Sequence, residues 1–240
     1  MKRFLKTIFS LFILFISIQN WSQNLTGTQL LEKAIAYHDP NNQWKTFSGH
    51  LSVTMEIPNK PNRDSNIFID LPKEFFSLEV NNGKHPTIYN LDNDQCSILF
   101  DGRTPTKEEQ ESYNLNCDRA SLFKNYYTYL YGLPMKLQDP GTIIHNTIEE
   151  KIFKGKPYWV LKVTYEKVVG SDIWYFYFDP STYKMEVYQF FHDEAKNDGE
   201  YILLSDEVTI NGIKMPKIRA WYTNAENKYL GTDILNLSKN

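Results

Sequence analysis

Seven strand-type runs follow one another over residues 142–237, mostly joined by links only a few residues long. Links that short leave neighbouring strands one option, antiparallel pairing, because a parallel crossover needs a dozen residues or more. The runs are 142–153, 158–167, 172–178, 184–191, 200–209, 213–222 and 229–237. Their turns are explicit: Lys154-Gly155-Lys156-Pro157, Gly170-Ser171, Asp179-Pro180-Ser181 and, the strongest hairpin signal, Asn211-Gly212. The first half carries more of the same. Residues 47–57 alternate, with Leu51, Val53, Met55 and Ile57 on one side; 66–71 and 74–80 follow, parted at Pro72. Residues 87–91 and 96–100 face each other across Asp92-Asn93-Asp94.

Two stretches break this period. Residues 25–37 repeat apolar side chains at helical spacing (Leu30, Leu31, Ala34, Ile35), with Thr26 or Thr28 as the cap and Asp39-Pro40 as the stop. Residues 104–139 lack alternation. They hold a polar helical turn at 107–111 and a second helix at 118–131, which brings Leu122, Tyr126, Tyr129 and Leu130 near one face before Gly132 and Pro134 end it. The expected fold class is mainly β with a helical lid (α+β). A curved antiparallel sheet forms an incomplete β-barrel, covered by the N-terminal helix and the mid-chain helical excursion.

The N-terminus is of a different kind. Lys2, Arg3 and Lys6 precede an apolar run at 8–18 interrupted only by Ser10 and Ser17. A basic head before a short apolar core is the pattern of a cleavable secretory signal, and the run is shorter than the ~20 residues that span a bilayer. Residues 1–22 are therefore expected to be removed, leaving Gln23 first and 23–240 as a single domain that is exported, periplasmic or envelope-associated. With no cysteine near this region, the chain itself is not expected to be a lipoprotein. Removal takes three of 26 basic residues and leaves 23 against 29 acidic ones, a net −6. That balance argues against a nucleic-acid surface and offers no polybasic patch for a membrane. No later segment is apolar enough to span one.

Cys96 and Cys117 are the two cysteines. In an oxidising compartment a lone pair without CxxC spacing is expected to form a structural disulfide.

No catalytic signature stands out. The five histidines, His38, His50, His85, His145 and His192, form no metal-ligand spacing, and neither a GxSxG nor a glycine-rich phosphate loop occurs. His192-Asp193-Glu194 reads as a solvated hairpin tip rather than a site. Tyr37-His38-Asp39-Pro40 with Trp44 reads as a helix stop over a packed indole, with a polar cluster at a pocket mouth as the alternative. No metal and no cofactor are expected, and the balance leans away from an enzyme.

The aromatic strands carry the better clue. Trp174-Tyr175-Phe176-Tyr177-Phe178 is apolar or aromatic on both faces, and 158–165 and 187–191 are rich on both sides. A strand greasy on both faces is expected to be covered on both. One possible result is a plain packed core. The other is a concave face only partly filled, lined by Trp159, Trp174, Phe176, Tyr188 and Phe190, with space for an apolar ligand.

Tyr37-His38-Asp39-Pro40 with Trp44, the DIWYFYFDP run at 172–180, and Arg219-Ala220-Trp221-Tyr222 leading to Leu230-Gly231-Thr232-Asp233 together resemble an uncharacterised family of exported Bacteroidota proteins with a lipoprotein-carrier-like (LolA/LolB-like) fold. The resemblance spans nearly the whole chain after residue 22. It implies a half barrel of about eleven strands with helices over the open side, and acyl chains held between sheet and lid. The expected function is non-catalytic carriage of a lipid, a lipoprotein acyl chain or another apolar ligand, with a lipoprotein or envelope protein as a further partner class. The alternatives are an envelope interaction module with a filled core and, less favoured, a hydrolase assembled from scattered residues.

Overall fold

The computed structural model describes residues 25–81 and 84–236. The expected export signal at 1–22 and the expected new N-terminus at Gln23 lie outside the described residues. Helix α1 (Gly27–His38) starts on a Thr26 capping box and is followed by a 3-10 turn at Trp44–Thr46. Strands β1 (Ser48–Glu56), β2 (Arg63–Asp70), β3 (Phe75–Asn81), β4 (Thr87–Asp92) and β5 (Gln95–Phe100) form an antiparallel meander. Helices α2 (Lys107–Tyr113) and α3 (Cys117–Gly132) make up the expected excursion. A second meander runs through β6 (Thr142–Phe153), β7 (Lys156–Tyr165), β8 (Ile173–Phe178), β9 (Met185–Phe191), β10 (Glu200–Ile210), β11 (Ile213–Thr223) and β12 (Tyr229–Asn236).

The two meanders join where β1 pairs with β12, giving one twelve-stranded sheet in the order β5-β4-β3-β2-β1-β12-β11-β10-β9-β8-β7-β6. The sheet is open, with β5 and β6 at its edges. Its curvature follows from what α3 touches. Phe123 packs on Tyr89 of β4 with ring centroids 5.3 Å apart, and the Tyr129 hydroxyl lies 2.5 Å from that of Tyr165 on β7. The two helix residues are six positions apart, about 9 Å along the axis. The two strands are nine spacings apart, about 43 Å in a flat sheet. Only a sheet curled around the helix brings both within reach.

The inner face is the main core. Leu51, Ile67, Leu78, Leu161, Phe176, Tyr188, Ile202 and Leu235 are all buried there, with Leu30 and Ala34 of α1 against them. The α1 N-terminus approaches β6 very closely where that strand breaks register between Ile144 and Ile148.

Two expectations need correction. The outer face of β7–β9 is apolar, as its sequence requires, but no second layer among the described residues covers it: α1 and α3 both pack on the inner side. Tyr158, Tyr175 and Tyr177 are buried among Val160 and Val187, with Tyr158 edge-on to Tyr177 at 5.8 Å. Their hydroxyls reach outward to Glu186, Glu194 and Gln189, and the ammonium groups of Lys151 and Lys162 lie over the Tyr175 ring and that of Lys156 over Tyr158. Amphipathic rings and lysines can thus cover an apolar face unaided. The second correction concerns α3. Leu122, expected on its apolar face, is 66% exposed, whereas Ala120, Tyr127, Leu130 and Tyr131 point inward.

Candidate functional site

α3 crosses the mouth of the half barrel like a bar, and open space lies along its margins. On one side runs a groove of about 580 Å³ between Leu122, Tyr126 and Tyr129 of α3, Tyr165 and Trp174 of β7 and β8, and the loop residues Pro140 and Val169. On the other side a groove of about 290 Å³ lies among Met55, Tyr126, Glu200, Trp221 and Leu230. Tyr126 is a wall of both. Its ring is stacked over Trp221 at 6.4 Å and edge-on to Tyr127 at 5.2 Å. The larger groove has exposed apolar lips, since Leu122 and Val169 are 66% and 53% exposed. Burial pushes the Tyr165 hydroxyl up to about 12, so the Tyr129–Tyr165 pair is neutral across the physiological range.

The five aromatics expected to line a pocket share the inner face, because β8 pairs with β9 and β7 in a register that sets Trp174 opposite Phe190, Phe176 opposite Tyr188, and Trp159 opposite Phe178. Four of them form one cluster. Trp174 stacks on Phe176 at 5.9 Å and on Phe190 at 4.9 Å, and Tyr188 meets Phe176 at 6.4 Å. Trp174 borders the larger groove; Phe176 and Tyr188 are wholly buried beneath it and Phe190 is half-buried. Trp159 sits apart, toward the opposite end of the strands, packed on Tyr183 at 5.6 Å.

Next to the smaller groove lies a feature the sequence did not announce. Arg63, Met55, Asp233, Arg219 and Leu204 stand directly opposite one another on β2, β1, β12, β11 and β10, one continuous row across the inner face. Arg219 is 1% exposed and Asp233 3%. The Arg219 guanidinium lies 4.0 Å over the Tyr131 ring, donates from Nη1 to the Pro216 carbonyl at 2.9 Å and reaches the Leu130 carbonyl at 3.5 Å. Asp233 accepts from Trp221 Nε1 at 3.1 Å. Burial holds the Asp233 carboxyl above the usual carboxylate range, with the Arg219 charge, the Trp221 bond and Arg63 opposing. Strand parity was the available signal: Arg219 shares its phase with Ile213, Met215 and Trp221, and Asp233 with Leu235.

The remaining polar motifs are structural. His38 is buried, its Nδ1 2.8 Å from the Lys214 carbonyl and its Nε2 accepting the Met185 amide at 3.0 Å. Asp39 accepts the amides of Gln43 and Trp44 at 2.7 and 2.8 Å. The helix-stop reading of this motif therefore matches its contacts. His192 is paired with Asp172 at 2.8 Å on an exposed tip, where Asp198 accepts the His192 and Asp193 amides. Cys96 and Cys117 form a disulfide that ties the start of α3 to β5. No cluster of three or more His, Cys, Asp or Glu side chains among the described residues is placed to hold a metal. No helix among them is long and apolar enough to cross a membrane.

These features define an open half barrel with a helical bar across its mouth and aromatic grooves along that bar. The chain belongs to DUF6503, a family of unknown function, which matches residues 6–236. None of the curated proteins compared is similar to it. Among solved structures it is similar to a LolA superfamily protein from Nitrosomonas europaea, with a TM-score of 0.49 and 9% identity over 88% of this chain and 92% of that one. It is also similar to a DUF1329 family protein from Desulfovibrio piger, with a TM-score of 0.44 and 9% identity over 89% and 94% of the two chains.

Proposed function

We propose that the protein is a non-catalytic carrier that holds an acyl chain or similar apolar ligand along α3, acting in the envelope after export. The observation that carries this reading is the pair of aromatic grooves meeting at Tyr126. The larger, about 580 Å³, falls within the range of small-ligand sites, roughly 300–1,000 Å³, and the smaller, about 290 Å³, lies just under it. Their walls are mainly apolar, and the charged side chains bordering the larger one are paired, Lys136 with Asp139 and Asp172 with His192. Exposed Leu122 and Val169 give a chain entering the larger groove an apolar lip to cross.

The packed centre of the inner face, with Phe176 and Tyr188 at zero exposure, supports a second reading, an interaction module with a filled core. One experiment separates the two. The protein is isolated from its native envelope and weighed by native mass spectrometry, then titrated with an environment-sensitive apolar dye and competed with lysolipid or fatty acid. A carrier retains lipid, or binds dye that lipid displaces. A folded sample that does neither is an interaction module.

A further inference from the structure

The interior of an apolar carrier has no need of charge, yet here two guanidiniums flank one carboxylate in a single row. The Nε atoms of Arg219 and Arg63 and the hydroxyls of Tyr131 and Tyr188 are buried without a hydrogen-bond partner in the protein. Three of these residues, Arg219, Tyr131 and Tyr188, are at most 1% exposed. Buried polar groups are paired in the great majority of cases, so unpaired groups around one row ask for an explanation. They are not scattered. Tyr131 and Tyr188 both lie against the Arg219 charge, the Tyr188 hydroxyl within reach of its guanidinium though without a well-directed bond, and Arg63 lies near the same Asp233.

We infer that the Arg63–Asp233–Arg219 row, with the Tyr131 and Tyr188 hydroxyls, is the seat of an anionic oxygen group, a carboxylate or a phosphate, at the end of an acyl chain held in the smaller groove. This rests on the carrier reading and names its ligand class. Charge decides between an anion and a trapped water. Arginine stays protonated, so buried Arg219 and half-buried Arg63 together outweigh the single carboxylate between them. Water offers acceptors but no charge; a carboxylate or phosphate offers both. Access is built in. Met55 is a wall of the smaller groove and stands directly opposite both Arg63 and Asp233, while Trp221, another wall, is bonded to Asp233 itself. Met55, an unbranched and adaptable thioether chain, and Trp221 stand between groove and row.

The test compares a saturated fatty acid, the alkyl phosphate and the alcohol of the same chain length, by competition against the dye, on wild type, Tyr188→Phe and Arg63→Gln. Arg219→Gln is set aside in case it does not fold, and the other two variants carry the comparison. Wild type should bind at least one anion about tenfold or more tightly than the alcohol, as one or two charge-assisted hydrogen bonds would give. Both variants should lose most of that preference while keeping their affinity for the alcohol. Preference for the acid alone identifies a free carboxylate as the source, and preference for the phosphate alone a lipid phosphate. If wild type binds alcohol and anions equally, the inference is overturned and the carrier reading stands. If it binds none of the three, both fall.

Discussion

The His38 Nε2 accepts the Met185 backbone N–H at 3.0 Å, a bond that only an unprotonated nitrogen can make. With Nδ1 against the Lys214 carbonyl, the ring pins the end of α1 to β9 and β11 in one neutral tautomer. Burial lowers its pKa from the ordinary 6.5; the bond to the Lys214 carbonyl and the Glu207 charge oppose it, and the Lys184 and Lys214 charges push the same way as burial. The unfolded chain therefore binds a proton that the folded one refuses. Stability should begin to fall as pH drops below about 6.5, by up to roughly 1.4 kcal/mol per pH unit, until the folded pKa is passed. His192, raised by Asp172, acts in the opposite sense, but it is exposed and screened. Thermal unfolding between pH 7.5 and 5 should show the loss, and His38→Gln should flatten it.

Gly27 opens α1 against the bulge in β6. A β-carbon there would lie 2.0 Å from the His145 carbonyl oxygen and 2.8 Å from a Leu161 methyl. Helix propensity alone favours Gly27→Ala, but backbone cannot yield as a side-chain tip would. The variant should lose about 1–3 kcal/mol in a denaturant titration. A gain would mean that α1 and β6 do not meet this closely.

The Cys96–Cys117 bridge spans a sequence separation of 21 residues, a loop that contains α2. On the chain-entropy account, replacing both cysteines by serine should cost about 3 kcal/mol. Thiol labelling of the unreduced, unfolded protein should find neither cysteine free. Quantitative labelling of both would remove the bridge.

The sheet was legible because its signals are local. Hairpin turns such as Asn211-Gly212 and the alternation at Leu51 and Val53 fix neighbours and faces without knowledge of the rest. The β1–β12 pairing that closes the two meanders into one sheet joins Ser52 to Asn236, and no local pattern records it. α3 was legible as a helix but not in its orientation, since its buried residues include Tyr127, Thr128 and Tyr131, whose hydroxyls blur the apolar stripe. The aromatics of the inner face could be named but not turned inward, because a one-residue register slip exchanges the faces. The Arg219–Asp233 pairing went unseen for a related reason: parity within each strand puts each charge in phase with buried neighbours, but only the register between β11 and β12 sets the two face to face.

Tyr126 divides the space along α3. Its ring is a wall of the 580 Å³ groove on one side and of the 290 Å³ groove on the other, stacked on Trp221 between them. Tyr126→Ala should merge the two into one longer groove, while Tyr126→Trp should narrow both. If chains lie along α3, the alanine variant should accept longer acyl chains or a second dye molecule, and the tryptophan variant should bind more weakly than wild type. Part of the gain will be masked by lost packing, since truncating a large aromatic in a core costs about 3–5 kcal/mol and this half-buried ring should cost less. Binding is therefore to be measured well below the unfolding temperature, with circular dichroism confirming the fold. Isothermal titration with fatty acids of increasing length gives the readout: a shift of the optimum toward longer chains in Tyr126→Ala is the expected result. An unchanged optimum in both variants would mean that the grooves are surface hollows unrelated to ligand, and would leave the filled-core interaction module as the better account of this fold.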